Sequence, residues 1–414
     1  MKRVLMVAYH FPPLAGSSGI QRTLRFVQHL PLYGWHPMVL TVTANAYEQV
    51  STDLLREVPS GTVVRRGVAL DTARHLAFAG RYPGWLARPD RWMSWQIDGV
   101  RTGLKMIREF EPQAIWSTFP IATAHVIGHA LHRRSRLPWI ADFRDPMVQP
   151  DYPEDRKTRA SYARIEHAAA LRASALVFTT RSAAQDCMAR HPGRAAAVRL
   201  IENGYDEESF AALERARPDV APLRPGAVTL LHSGIVYPSE RDPGPLMQAL
   251  GRLKKEGHIS SANASIRFRA PVHEQMLRSL AVSNDVEDLV QVLPPVPYAD
   301  ALHEMRRADA LLVMQASNCN SQIPAKVYEY LRVAKPILCL SDRKGDTADL
   351  LRRAEVQAFA DLASPDEIAA AIPAFLRLVG EGSALTPPAS IVRAASRQER
   401  TRELAMILAE ATNS

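Results

Sequence analysis

Three cysteines in 414 residues (Cys187, Cys319 and Cys339) are too few and too scattered for a disulfide framework or a zinc site. Such usage points to a reducing compartment. No uninterrupted apolar run approaches the length needed to span a bilayer. The opening Met1-Lys-Arg-Val-Leu-Met-Val-Ala-Tyr9 begins like a secretion signal, but its apolar run is short and stops at His10-Phe-Pro-Pro13. It reads as a first buried strand. No Asp-x-Asp pair occurs, so a carboxylate-held divalent ion beside a phosphate is not indicated, and no metal is expected. Nucleophile-elbow, metalloprotease-helix, helix-turn-helix, zinc-finger and RNA-binding signatures are also missing, which argues against hydrolysis by those routes and against nucleic acid as a partner.

What is present is a globular composition, 47% hydrophobic and 23% charged, in a chain long enough for two or three domains. The net charge of +8 favours a phosphorylated ligand or an anionic membrane surface. Short apolar runs alternate with helix-length stretches from the first residue: Val4–Ala8, Met38–Val42, Ala114–Ser117, Pro138–Ala141, Leu176–Thr179 and Arg199–Ile201. This is the pattern of a parallel sheet covered on both faces. Residues 215–227, rich in Arg, Pro and Ala, read as a linker. A second series follows at Val228–His232, Ile266–Arg269, Leu289–Val292, Ala310–Met314 and Ile337–Leu340. The expectation is an α/β protein with two open parallel sheets facing a cleft, and ligands at the carboxyl ends of the strands.

Four segments carry candidate chemistry. In Ile323-Pro-Ala-Lys-Val-Tyr-Glu-Tyr-Leu331, Pro324 opens a helix with Lys326 and Glu329 on one face. An ammonium at a helix N-terminus suits a phosphate, and a carboxylate one turn on can accept two hydroxyl protons; phosphate beside a diol describes a nucleotide ribose. The plainer reading is a surface i,i+3 ion pair. In Phe11-Pro-Pro-Leu-Ala-Gly-Ser-Ser-Gly-Ile-Gln-Arg22, Gly16 and Gly19 precede a helix and let backbone amides approach an anion, although the spacing fits no dinucleotide or Walker loop. Asp142, Arg144 and Asp145 follow an apolar strand, where Asp142 and Arg144 are expected to point the same way or to form a structural pair. Gly234 ends the first strand of the second series, and Arg241 offers a phosphate its fork of donors.

Together these segments resemble the retaining GT-B glycosyltransferases of family 4, in a branch that builds surface polysaccharides and O-antigens. The resemblance rests on Leu200-Ile-Glu-Asn-Gly-Tyr-Asp-Glu-Glu-Ser-Phe210, on Leu293-Pro-Pro-Val-Pro-Tyr298 with Arg307-Ala-Asp-Ala310, and on the Lys326–Glu329 helix. The opening Pro-Pro-x-x-Gly-x-x-Gly and Asp142-Phe-Arg-Asp-Pro146 complete it, so that it covers nearly the whole chain. It implies two Rossmann-like domains, residues 1–215 for the acceptor and 216–385 for the donor, with 386–414 crossing back to the first. It implies that Glu329 holds ribose hydroxyls, that Lys326 and Arg241 neutralise a UDP or GDP diphosphate, and that backbone near Val296 and Pro297 meets the base. The Gly16–Gly19 loop would approach the diphosphate or sugar from the opposite domain. Lys326, Arg241 and Asp142 are the catalytic candidates, Gly16, Gly19 and Gly234 join the donor set, and Arg144, Asp145 and His125 fall on the acceptor side. No cofactor beyond the nucleotide sugar is implied.

There are departures. Ser321 stands where the family often has a second glutamate, which leaves the sugar contact open. The loop Trp116-Ser-Thr-Phe-Pro120 lacks the histidine that many members place near the reacting sugar; His125 is a candidate substitute, or simply packs a helix. A basic excess between Arg65 and Glu109, with Trp85, Trp92 and Trp95 close together, suits peripheral docking on an anionic inner membrane to reach a polyprenyl-diphosphate-linked acceptor. Ordinary core packing is the other reading. The expected location is cytoplasmic. An epimerase of the same fold, or a non-catalytic nucleotide-sugar-binding protein, is the alternative function.

Overall fold

The computed structural model describes residues 1–17, 19–149 and 152–413. It divides into two compact units, residues 1–203 with 397–414, and residues 204–396. The first holds seven strands: β1 (Lys2–Val7), β2 (Trp35–Val42), β3 (Val63–Gly67), β4 (Ala114–Phe119), β5 (Trp139–Phe143), β6 (Ala175–Phe178) and β7 (Val198–Leu200). They line up as β3-β2-β1-β4-β5-β6-β7 with every pairing parallel. Strands β4 and β5 are buried along their whole length, which explains why they read as continuous apolar runs rather than as alternation. Helices Trp95–Phe110, Ala122–Ser135 and Arg397–Asn413 pack against the sheet.

The second unit repeats the scheme with β8 (Val228–Ser233), β9 (Ala264–Arg269), β10 (Val290–Leu293), β11 (Ala310–Gln315), β12 (Ile337–Ser341) and β13 (Ala358–Ala360), ordered β10-β9-β8-β11-β12-β13 and parallel throughout. In each unit the chain winds outward from a central strand and then returns to its other side, reversing at β1/β4 and at β8/β11. The carboxyl ends of such strand pairs open a crevice. Both outermost strands that the hydrophobic pattern missed, β3 and β13, are short. Strand β3, Val63-Val-Arg-Arg-Gly67, carries charge, as edge strands do to avoid pairing with other chains.

The units divide at 203/204 and 396/397, where the sequence reading expected 215/216 and 385/386. The helix Glu207–Ala216 buries Phe210 and Leu213 in the second unit's core. Arg332 holds it there through Glu207 at 2.7 Å and Glu214 at 3.1 Å. Of residues 215–227, expected as a linker, the first two end that helix and the rest lie inside the same unit, where Arg307 donates to the Ala221 carbonyl and its own carbonyl accepts from the Leu223 amide. The helix Arg397–Asn413 buries Leu404, Ile407 and Leu408 in the core of the first unit.

A buried ion pair ties distant parts of that first unit together. Arg22, from the helix Gly19–His29, meets Asp142 at the end of β5 at 2.6 Å. Thr118 of β4 donates to the same carboxylate, and the guanidinium also donates to the carbonyls of Ile201 and Glu202. Asp142 is fully enclosed. Removing one partner of a buried pair leaves the other charge uncompensated, so Asp142→Ala should destabilise this unit by about 3–5 kcal/mol. Urea unfolding checks this, and a loss below about 1 kcal/mol would show that the pair is not an anchor.

Candidate functional site

In the second unit the crevice at β8/β11 is built around a missing side chain. Gly234 follows β8 at φ +140°, a conformation that L side chains rarely adopt, and its amide donates to the Arg269 carbonyl. A Cβ there would lie 2.6 Å from Lys326 Cε, so the lysine stem crosses the strand end in the space the glycine leaves. The preceding residue is fixed as well: the Ser233 amide donates 2.8 Å to the Tyr330 hydroxyl, a phenol whose pKa burial pushes far up, keeping it neutral. Lys326 is the second residue of the helix Ala325–Val333, directly after Pro324, so its ammonium sits in the turn whose amides have no partner within the helix.

One turn on, Glu329 completes the constellation. Its Oε1 accepts a hydrogen bond from the Tyr298 hydroxyl at 2.9 Å. Its Oε2 is buried, has no hydrogen-bond partner, and lies 3.9 Å from Lys326 Nζ. At that distance the pair is loose. The Lys326 side chain is 37% exposed and that of Glu329 16%, which leaves a carboxylate oxygen with unused acceptor capacity beside a partly open cation. Arg241 follows β8 on the next loop. It donates 2.6 Å to the Ile235 carbonyl and lies over the Tyr237 ring, so its guanidinium is held by its own loop and keeps further donors.

Several positioning residues escaped the sequence reading because their partners are distant in the chain. Arg269 donates to both oxygens of Glu304 and, at 2.7 Å, to the Pro294 carbonyl; it thereby pins the loop that carries Val296 and Pro297. Gln315, at the end of β11, donates to the Cys319 and Gln322 carbonyls and accepts from Thr347, bracing the approach to the Lys326 helix. Ser321 lies on that braced loop. His232 is buried beneath the site with Nδ1 3.0 Å from the Leu312 carbonyl, and burial pushes its pKa down to about 4.

The first-unit candidates separate. Asp142 and Arg144 both reach the helix Gly19–His29, at Arg22 and at Gly19, but Asp142 is spent on Arg22, so the expected catalytic carboxylate is a buried anchor. Arg144 instead crosses the start of the helix Gly19–His29, where a Cβ on Gly19 would overlap its Nη1 and lie 2.6 Å from His10 Nδ1. Asp145 lies 3.4 Å from Arg144 Nε and is half-exposed. Gly16 turns the loop at φ +74°. His125 is enclosed, 2.8 Å from Ser117 Oγ, and packs on Phe143; it reaches no surface and is a packing histidine. Of the tryptophans, Trp95 is core, Trp92 packs on Tyr9 and donates to the Ala46 carbonyl, and Trp85 is exposed. Among the described residues, Glu166, Cys187 and His191 come together as a group with metal-ligand atoms, but Arg190 spans both Glu166 oxygens. No described helix is long and apolar enough to cross a membrane.

No family model matches the chain, and no curated protein matches it in sequence. Solved structures are similar along its whole length. HepE of Anabaena in complex with UDP is 14% identical, with a TM-score of 0.67 over 99% of this chain and 100% of that one. Sucrose-phosphate synthase of Thermosynechococcus elongatus is 12% identical, with a TM-score of 0.63 over 99% of each. The E. coli trehalose-6-phosphate protein bound with UDP-2-fluoro glucose is 13% identical, with a TM-score of 0.63 over 98% of this chain and 99% of that one. At these identities the likeness shows the fold: α/β, with the two Rossmann-like parallel-sheet domains of the GT-B class.

Two predictions follow from the geometry. Gly234→Ala should cost on the order of 1–3 kcal/mol from backbone strain alone. Lys326→Ala should relieve only the part due to contact, which a double-mutant cycle of thermal unfolding measures. The second concerns pH. His10, His125 and His232 have folded-state pKa values lowered from 6.5 to about 3, 3 and 4, chiefly by burial. The unfolded chain takes up protons first as pH falls below 6.5, so stability present at neutral pH is lost on acidification. His125→Gln should flatten the dependence by up to about 1.4 kcal/mol per pH unit. An unchanged slope would contradict the assignment.

Proposed function

We propose that the chain is a glycosyltransferase of the family 4 type, moving a sugar from a UDP-sugar to a glycan or polyprenyl-diphosphate-linked acceptor with retention of configuration. The observation that carries the proposal is the unpartnered Glu329 Oε2 beside Lys326 at a helix N-terminus, with Arg241 on the neighbouring loop. A phosphate needs the cations and the helix amides; a cis-diol needs a carboxylate with unused acceptor capacity. A nucleoside diphosphate presents both groups, a phosphate and a ribose diol, within the reach of one turn of helix. The UDP and UDP-2-fluoro glucose described with structures of the same fold support UDP over GDP.

In this reading Glu329 accepts hydrogen bonds from the ribose hydroxyls, with Tyr298 fixing its other oxygen. Backbone near Val296 and Pro297 lies against the base, on the loop that Arg269 pins. Gly234 admits Lys326 to the strand end, and Lys326 and Arg241 take up charge developing on the leaving diphosphate oxygen. The neutralisation is assigned to these cations, in a sequence without an Asp-x-Asp pair, and neither a metal nor a cofactor enters the proposal. No carboxylate is assigned as nucleophile; retention then comes from front-face attack by the acceptor as the diphosphate departs. Gly16, Gly19, Arg144 and Asp145 carry the first-unit part of the proposal. Asp142 and His125 are assigned positioning roles only, because both are enclosed.

The test begins with thermal unfolding in the presence of UDP-glucose, UDP-galactose, UDP-N-acetylglucosamine and GDP-mannose, since a bound donor stabilises the folded state by mass action. A UDP-sugar should raise the midpoint. With that donor, Lys326→Ala should lower UDP release to a lipid-linked acceptor roughly 10²–10³-fold while leaving the unfolding midpoint unchanged. Undiminished turnover in the variant would overturn the assignment, and sugar interconversion without acceptor would identify an epimerase.

A further inference from the structure

One group in the first unit has the composition of a metal site and takes no part in the proposed transfer. Glu166, Cys187 and His191 each bring a ligand atom to within 4.8 Å of the other two. They come from neighbouring helices, Arg156–Arg172 for Glu166 and Arg181–Arg190 for Cys187, with His191 closing the second. The His191 amide donates 2.9 Å to the Cys187 carbonyl, so thiol and imidazole stand one turn apart on one face. The three cysteines of the chain are too scattered for a cysteine-rich site. One thiolate joined by an imidazole and a carboxylate is nevertheless a zinc donor set.

The separations are close to those a tetrahedral ion requires. With bonds of about 2.3 Å to sulfur and about 2.0–2.2 Å to nitrogen and oxygen, its ligand atoms stand about 3.3–3.7 Å apart. Glu166 Oε1 and His191 Nε2 are 3.2 Å apart before any ion is bound. The surroundings also favour a cation. Glu166 is enclosed, and Cys187 and His191 lie at the C-terminal end of their helix, the negative end of its dipole. His167 follows Glu166 in the chain, its ring centroid 5.6 Å from that of His191, so the fourth position falls to this imidazole or to water.

In the structure the charge of Glu166 is met by Arg190, whose Nε donates 2.8 Å to Oε1 and whose Nη2 donates 3.0 Å to Oε2. That guanidinium is removable. Its side chain is 33% exposed at the last position of the helix, and the exposed Asp186, one turn earlier, offers it a partner in solvent. We infer that Glu166, Cys187 and His191 bind a zinc ion, which displaces Arg190 from Glu166 and pins the two helices together. Binding forms one bond each to sulfur, nitrogen and oxygen, and the thiol proton passes to solvent, because the thiolate is the ligand. Thiolate and imidazole select zinc over magnesium and calcium, which take oxygen ligands. The inference does not depend on the nucleotide site, which lies in the other unit.

The experiment is titration of the untagged full-length protein, kept reduced and stripped with a chelator, first with zinc and then with cobalt as a coloured substitute. One equivalent of zinc should bind and raise the thermal unfolding midpoint by mass action. Cobalt should produce a thiolate-to-metal charge-transfer band in the near ultraviolet, which zinc then abolishes. Cys187→Ser should remove that band and weaken zinc binding roughly tenfold or more. Arg190→Ala should tighten zinc binding by about tenfold, because the competing positive charge is gone. Absence of the band from both the wild type and Arg190→Ala overturns the inference, as does a band that survives Cys187→Ser. Zinc binding in Arg190→Ala no tighter than in the wild type also overturns it, since no guanidinium is then displaced. Failure of the wild type to bind UDP would count against the proposed activity alone.

Discussion

Position 234, just past the carboxyl end of β8, has no side chain, and the candidate site is arranged around that space. Any residue but glycine at position 234 would meet both a backbone torsion it rarely adopts and the stem of Lys326. The lysine passes through the gap because the helix Ala325–Val333 starts beside it, and that start is placed by Gln315, Thr347 and the amide-to-hydroxyl bond between Ser233 and Tyr330. Four elements therefore converge on one ammonium. The ammonium is not neutralised in return: the nearest carboxylate oxygen, on Glu329, stands 3.9 Å away and lacks a hydrogen-bond partner. A buried acceptor left short of donors is costly for a fold to maintain. Its persistence beside a half-open cation is what distinguishes this pair from a surface ion pair.

The two units use charge differently. In the first, Arg22 and Asp142 meet inside the protein, and the guanidinium extends its donors to the carbonyls of Ile201 and Glu202. Every group in that cluster is satisfied, which suits a structural anchor and leaves nothing for a ligand. In the second, Arg267 and Arg269 close on the nearly buried Glu304 in the same manner, and the spare donor of Arg269 fixes Pro294. Lys326, Arg241 and Glu329 break that habit of full satisfaction. The contrast separates cations that hold the protein together from cations available to something else.

Local features were legible in the sequence. A proline followed by Lys326 and Glu329 three apart defines a helix start and a face without reference to the rest of the chain. The interior strands were legible because burial on both faces leaves a continuous apolar run. What remained hidden depends on partners far away in sequence. Nothing around Asp142 reveals that Arg22 lies against it, so an acidic residue at a strand end read as a catalytic candidate. Nothing around Arg269 announces Glu304 or Pro294, and Tyr298 gave no sign that its hydroxyl would reach Glu329. The edge strands β3 and β13 were missed for a related reason: one carries two arginines and the other has three residues, and neither makes a pattern. The three nearby tryptophans formed a single group by spacing, yet the fold buries Trp95, half-buries Trp92 and exposes Trp85.

The central claim is that one turn of helix recognises a phosphate through Lys326 and a ribose diol through Glu329. Calorimetric titration with UDP and with 2′,3′-dideoxy-UDP tests it most directly, in the wild type and in Glu329→Gln. The wild type should bind UDP more tightly by about 10- to 100-fold, the range expected for hydrogen bonds to a charged group. Glu329→Gln should lose most of that preference while retaining the weaker affinity for the dideoxy compound. Equal affinities in the wild type, or a preference that survives the substitution, would contradict the account.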